Sequence, residues 1–491
     1  MDYEKIIAQK DERIKQLEAE LARIYKLIKG SKSERFIPDA VAANQQSLFE
    51  GNLMEEDATK GEVTEENEET EIISYERKKR KKHNGRNAIP EHLPVKEVVI
   101  EPEEDTTGLV KIGEQRTETL EYTQASLVKI ITIRPKYAKP DNGGVIIGKL
   151  PDRPIPKSIA EPSLLSHIFV SKFIDHLPYY RQIQQFKRDF DWELSKSTVN
   201  DWFIQISVLL EPLYNKLKEK ILGSGYVQAD ESPIKVLDTE KKKDTHQGYM
   251  WLYHSPEEKA VLFNYRKGRG QHGPKEFLNG YKGYVQVDGY KVYDAIERMY
   301  SDIKLVGCLA HIRRKYFEAK DEYPKEATYV LNLIAKIYKA ERKYHEENLT
   351  VEQITEKRKK EMQPLLDEWK EWVDEKALTV LPKSLLGKAL SYTINQWKKL
   401  EPIAKDGRLK LDNNLIENSV RPLALGRKNY LFAGSHAGAN RNAMMYSFFA
   451  TCKKNDVNPR AWMTDVLKRI PSQNIQDLEE LLPANWKSSE V

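Results

Sequence analysis

The stretch from Tyr226 to Cys308 constrains the fold most, because its hydrophobic runs come in an order that few architectures accept. Residues 226–237 (YVQADESPIKVL), 248–253 and 260–265 read as three strands separated by turn residues. A short helix over 274–278 follows, then a strand over 283–290 that ends in Asp288. A helix over 293–299 and a strand over 303–308 complete the run. Three strands in meander, helix, strand, helix, strand predict a mixed sheet flanked by helices. Two acids fall at telling places: Asp230 within the first strand, and Asp288 at the end of the strand expected beside it.

At 491 residues the chain has room for two to four domains and a large core. Charged residues make up 32% and mean hydropathy is −0.67, with no apolar run long enough to span a bilayer, so no membrane partner is expected. The opening MDYEKIIAQK is not a signal peptide. Cys308 and Cys452 are the two cysteines, which excludes a disulfide framework and a four-cysteine zinc site, and fits a reducing cytoplasm. The net charge of +5 conceals segregation. Charges between Glu50 and Glu71 are acidic except Lys60, and Arg77 to Lys82 then reverse the sign. A polycation beside a polyanion suggests a nucleic-acid-binding arm with a built-in competitor.

Tyr3, Ile7, Ile14, Leu17, Leu21, Ile24 and Ile28 fit a heptad seam interrupted by Lys10, predicting a coiled coil over residues 1–30 and hence a homo-oligomer, with a dimer expected. Residues 31–88 read as an acidic and basic linker, and 89–157 as a small β domain. Residues 158–222 return to helical spacing. There Ser195 is a candidate N-cap, with Lys196 and Ser197 opening the next helix as in a DNA-binding helix-turn-helix. The core is expected over 223–317 and 409–455, divided by a helical insertion over 318–408. A C-terminal helix and a mobile tail are expected over 456–491.

Residues 409–435 (LKLDNNLIENSVRPLALGRKNYLFAGS) place Glu417 among amides and ahead of cations. The spacing of Leu411, Leu415, Ser419 and Val420 predicts a helix that Pro422 ends or kinks, with Arg421 on the face of Glu417. Arg427, Lys428 and Asn429 would then lie in a glycine-bounded loop within reach of phosphates. A plainer reading is a helix capped by Asp412 with an ordinary ion pair. Three carboxylates converging from Asp230, Asp288 and Glu417 suit two-metal phosphoryl transfer, since unpaired acids held together repel unless cations bind. Glu231 is a rival ligand on the opposite face of the strand, and Gly289 would leave room for ions and phosphate. His311, Arg313 and Arg314 follow the last core strand and are further candidates for phosphate contact.

These segments resemble the DDE transposases of the insertion sequence 66 family. The resemblance is carried by Asp230-Glu-Ser-Pro-Ile-Lys-Val236, by Tyr284-Val-Gln-Val-Asp-Gly-Tyr290 and by Gly307-Cys-Leu-Ala-His-Ile-Arg-Arg-Lys-Tyr-Phe317. Its most specific part is Asp412-Asn-Asn-Leu-Ile-Glu417 with Arg421-Pro422 and the segment from Gly426 to Ser435. It implies an RNase H-like catalytic core, a metal-binding triad of Asp230, Asp288 and Glu417, and Mg²⁺ as cofactor with Mn²⁺ able to substitute. It further implies cleavage at the element's terminal inverted repeats followed by strand transfer to target DNA, in a cytoplasmic, nucleoid-associated bacterial protein with accessory transposition proteins as further partners. The family's two CxxC pairs are replaced here by residues 104–108 and 139–142, which hold no cysteine, so no zinc is expected there. The alternatives are a sequence-specific DNA-binding regulator and an RNase H-like nuclease that cuts without joining.

Overall fold

A computed structural model describes residues 152–238 and 245–488, together with Leu127, Lys129, Ile130 and the stretches 136–138 and 145–147. The heptad segment, the linker and most of the expected β domain lie outside the described residues. Of the last, β1 (Lys136–Ala138) and β2 (Val145–Ile147) pair antiparallel.

The helices α1 (Pro162–Phe173), α2 (Tyr179–Phe190) and α3 (Lys196–Gly223) come first. Asp191, in the left-handed region at φ 48°, ends α2, and the Ser195 side chain accepts the Thr198 N–H at 3.0 Å to start α3, as its N-cap position predicts. Lys196 and Ser197 are exposed on that opening turn. At 28 residues, α3 is far longer than a recognition helix needs. Its later turns carry Leu210, Leu213, Leu217 and Ile221 into the core, and the Tyr214 hydroxyl donates to the Phe263 carbonyl at 2.6 Å.

The sheet follows the order read from the sequence. β3 (Tyr226–Leu237), β4 (Thr245–Ser255) and β5 (Ala260–Arg266) form an antiparallel meander. After α4 (His272–Phe277), β6 (Gly283–Gln286) pairs parallel with β3. After α5 (Lys291–Met299), β7 (Ile303–Val306) pairs parallel with β6. The spatial order is β5-β4-β3-β6-β7, a mixed five-stranded sheet with β3 at its centre. β6 stops at Gln286, so Asp288 stands two residues beyond the strand rather than at its end.

Residues 318–408 are helical, as expected. α6 (Leu309–Ala319) leads into α7 (Pro324–Glu346), α8 (Val351–Lys357), a π-helical turn (Arg358–Met362), α9 (Gln363–Ala377) and α10 (Leu385–Lys405). They enclose a core of their own around Tyr316, Leu333, Ile337, Trp369 and Leu390. The larger core joins the sheet to α1, α3, α11 (Asn414–Tyr430), α12 (His436–Lys454) and α13 (Pro459–Arg469), with Trp251, Phe263, Phe448 and Trp462 fully buried in it.

Two expectations fail here. Of the two outcomes expected at Pro422, a stop or a kink, the stop is excluded: α11 runs through it to Tyr430, because burial of Ile416, Leu423 and Gly426 outweighs the hydrogen bond that proline deletes. Arg427, Lys428 and Asn429 therefore sit on the last turns of α11 and not in a loop. The C-terminal tail is not mobile through residue 488 either. Residues Ile475–Leu481 form a 3₁₀ helix whose Leu478 and Leu481, with Leu482, enter the main core. The Trp462 indole donates to the Leu481 carbonyl at 2.8 Å. The three-residue spacing of these leucines is a 3₁₀ signal that a search for α or β periods passes over.

Candidate active site

Strand register brings the first two acids together. Gln228 of β3 lies opposite Gln286 of β6. Asp230 and Asp288 keep the same offset of 58 (286 − 228 = 58, 288 − 230 = 58) past the last paired residues, and they lie close enough for the Asp288 charge to act on the Asp230 carboxyl. Both strands spell Val-Gln-X-Asp, at 227–230 and 285–288. The two glutamines are fully buried and bonded to each other, the Gln228 amide donating to Gln286 Oε1 at 2.9 Å.

That buried pair also ties down the segment leading to Glu417. Gln286 Nε2 donates to the Lys410 carbonyl at 2.8 Å, and Gln228 Nε2 donates to the Asp412 carbonyl at 2.9 Å. The Lys410 N–H donates to the Tyr226 hydroxyl, and the Leu309 N–H to the Leu411 carbonyl. Asn413 donates from its side chain to the Ala229 carbonyl, the residue before Asp230, at 3.2 Å, and from its backbone to Cys308 Sγ at 3.3 Å. Residues 409–413 thus form a strap that sets the first turn of α11, and with it Glu417, against β3. Asn413, not Asp412, occupies the cap position; Asp412 Oδ1 accepts the Asn414 N–H just inside the helix. Gln228, Gln286 and Tyr226 were not singled out by sequence reasoning. The repeated glutamine in two otherwise apolar strands was the signal available.

Burial raises the Asp230 carboxyl to about 7, and the neighbouring Glu231, Asp288 and Glu417 carboxylates push it the same way. Its Oδ1 accepts the Glu231 N–H at 2.8 Å, which only partly offsets this. Glu231 is engaged elsewhere: Arg269 donates to its Oε1 from Nε at 2.9 Å and from a terminal nitrogen at 2.6 Å, while the guanidinium stacks on the Tyr290 ring. Asp288 Oδ1 accepts the Tyr290 N–H at 3.0 Å, closing a tight turn through Gly289 at φ +96°. The expected open space at Gly289 is absent. A Cβ there would meet Gln396 Nε2 at 2.8 Å and the Tyr392 hydroxyl at 2.9 Å, both from α10, and Tyr392 also donates to the Asp288 carbonyl. The helical insertion therefore buttresses the acid cluster directly.

Glu417 is half-buried, and its Oε1 has no hydrogen-bond partner. Facing it at 3.8 Å is His311 Nδ1 from α6, equally without a partner. Arg313 is half-buried and Arg314 exposed on the same helix. Arg421 and Lys428 are exposed on α11. Arg427 clamps α11 to β3, donating to Ser232 Oγ at 3.0 Å and to the Pro233 carbonyl at 2.7 Å. Asn429 Oδ1 accepts from Arg181 of α2 at 3.4 Å. Lys196 and Ser197 belong to the opening of α3 and make no part of the acid cluster.

Comparison with known proteins shows the family. Residues 157–441 match the family described as Transposase IS66 family, and residues 447–484 match the IS66 C-terminal element. Residues 16–98 match the description Transposase C of IS166 homeodomain, a stretch that spans part of the heptad segment and the linker. The chain belongs to the IS66 transposase family, which implies DNA as its partner. It is similar to three proteins of Sinorhizobium fredii (strain NBRC 101917 / NGR234) that are named as uncharacterized. It is 31% identical to y4jD, over 97% of this chain and 95% of that one, and 29% identical to y4hP, over 96% and 88%. It is 30% identical to y4qI, over 83% and 78%. Among the described residues no helix is long and apolar enough to cross a membrane.

Proposed function

We propose that this chain is a DDE-type transposase that cleaves DNA at the terminal inverted repeats of its element and joins the freed 3′ ends to target DNA. Asp230, Asp288 and Glu417 are the metal-binding acids in this reading, and the sheet order β5-β4-β3-β6-β7 with one antiparallel and one parallel half supports an RNase H-like core. The observation that carries the proposal is the register-matched pair Asp230 and Asp288, with Glu417 strapped against the same strand. The donor set fits Mg²⁺: hard carboxylate oxygens, one of them the partnerless Glu417 Oε1. Bound there, Mg²⁺ supplies activation of the attacking oxygen and charge stabilisation at the leaving 3′ oxygen.

The protein's own groups do the rest. Arg269 keeps Glu231 out of the cluster. Arg421, Lys428 and Arg314, on exposed turns of the two helices that flank the acids, meet phosphates, and Lys196 and Ser197 contact DNA at the start of α3. Arg427, Asn429, His311 and Arg313 act closer to the cleaved bond, Arg427 by holding α11 in place. The N-terminal heptads assemble the protein as a dimer that pairs two element ends. The test is incubation of the full chain with end-labelled duplex carrying the element ends, with Mg²⁺, Mn²⁺ or chelator. Metal-dependent nicks at the repeat boundary and joined products are expected. Nicks without joining would identify a nuclease, and specific binding without cleavage a regulator.

A further inference from the structure

We propose that Cys308 Sγ, His311 Nδ1 and Glu417 Oε1 form a second metal site, selective for zinc, that shares Glu417 with the magnesium site and shuts the enzyme down when filled. The consequence for cleavage rests on the transposase reading; the ligand set does not.

The three donor atoms lie within 4.8 Å of one another. Two of them, His311 Nδ1 and Glu417 Oε1, are buried atoms that face each other at 3.8 Å and form no hydrogen bond. Buried polar atoms that find no partner in a folded protein point to a missing ligand. The third donor is prepared differently. Cys308 is the N-cap residue of α6, so Sγ and the His311 ring, three residues apart, rise from the same side of its first turn. Sγ accepts the Asn413 N–H at 3.3 Å, the kind of outer bond that orients a metal-bound thiolate.

Imidazole, thiolate and carboxylate together suit zinc and not magnesium, which favours oxygen alone. A tetrahedral zinc with bonds of about 2.0 Å to nitrogen and oxygen holds those two atoms about 3.3 Å apart, so a contraction of roughly half an ångström completes that edge. Three protein ligands leave the fourth position open. Burial pushes the Cys308 thiol up to about 12, so zinc must displace its proton to solvent on binding; no electron moves. Zinc takes the same Glu417 Oε1 that is offered to Mg²⁺, and this competition is the basis of inhibition.

The test uses the metal-free full-length chain with one equivalent of zinc chloride and zinc-edge X-ray absorption. One sulfur at about 2.3 Å with nitrogen and oxygen at about 2.0 Å is expected. Because Cys308 and Cys452 are the only cysteines, the source is decidable: Cys308→Ser removes the sulfur shell and Cys452→Ser keeps it. His311→Gln lowers zinc affinity at least tenfold against a chelating dye, and it decides the matter should Cys308→Ser fail to fold. Asp230→Asn leaves zinc affinity unchanged. Stoichiometric zinc suppresses magnesium-supported cleavage in the native chain and loses that effect in Cys308→Ser. Zinc bound through nitrogen and oxygen alone, a sulfur shell that survives Cys308→Ser, or unchanged affinity in His311→Gln would overturn the proposal. Absence of cleavage in every protein would overturn the transposase reading and leave the spectrum to decide this one.

Discussion

Two clusters of charged groups lie at opposite ends of the strap over residues 409–413, and the protein treats them in opposite ways. At the Leu409 end, Arg358 is fully buried, yet each of its five N–H groups is used. Two go to the Glu341 carboxylate, and the others to the carbonyls of Ile403, Asp406 and Leu409. At the Asn413 end, Asp230 is pushed to about 7, and Glu417 and His311 turn partnerless atoms toward each other. The first cluster is complete within the chain and holds structure. The second leaves buried polar atoms without a hydrogen-bond partner inside the chain, as the proposed metal site requires.

Substitution separates the two. Arg358→Met strands the Glu341 carboxylate and three carbonyls, and should cost about 3–5 kcal/mol in urea unfolding. The pair Arg358→Met with Glu341→Leu should recover most of that loss. Asp230→Asn should do the reverse, leaving the metal-free protein at least as stable while metal-dependent cleavage falls to background. If Asp230→Asn lost as much stability as Arg358→Met, the contrast would be wrong and Asp230 structural.

The contrast explains what was legible in the sequence. The sheet was legible because strands and helices alternate with clear periods from Tyr226 to Val306. The strand order alone put Asp230 and Asp288 on neighbouring strands, whereas their matched register, carried by the two Val-Gln-X-Asp runs, went unread. Glu417 could be assigned to a helix from spacing, but the length of that helix could not, since local proline chemistry argued for a stop and long-range burial of Leu423 and Gly426 prevailed. The strap was illegible for a related reason: its bonds join residues far apart in the chain, such as 105 positions for Asn413 to Cys308 and 184 for Gln228 to Asp412, and no local pattern encodes them. Gly289 was read as an opening, because nothing in the insertion's sequence says that Tyr392 and Gln396 close over it.

Metal binding should sharpen the comparison further. Mg²⁺ at a hundred times its dissociation constant should stabilise the native chain by about 2.7 kcal/mol, and Asp230→Asn should abolish most of that gain. Equal stabilisation of both proteins in a thermal-shift titration would move the ion elsewhere. Gln228→Leu tests the strap that serves both clusters. It removes the side-chain donor to the Asp412 carbonyl and one of two donors to Gln286 Oε1, which keeps the Tyr226 hydroxyl, and about 1–3 kcal/mol of stability should be lost. Because Glu417 follows five residues after Asp412, cleavage should fall with Mg²⁺ affinity. A variant that lost stability alone would make the strap a fastening with no part in placing Glu417.

The smallest effect concerns pH, and its sign distinguishes the acid cluster from an ordinary ion pair. A carboxylate held by a cation has a lowered value in the folded state, and the stability it provides is lost as pH falls. Asp230 is raised instead, from 3.8 to about 7, so the folded protein binds its proton more tightly than the unfolded chain does. The stabilisation is fully present below pH 3.8 and drains away as pH rises toward 7. At this half-buried residue, open in part to solvent, the effect should amount to about 2 kcal/mol or less. Global unfolding also reports every other titrating group, so the measurement is a difference: native chain minus Asp230→Asn, both metal-free, in urea between pH 4 and 8. The native chain should lose ground to the variant steadily across that range, and Mg²⁺ at pH 7.5 should return it. A difference that stayed flat, or that grew in favour of the native chain with pH, would mean that a cation from the protein already neutralises Asp230, and the two clusters would then be alike.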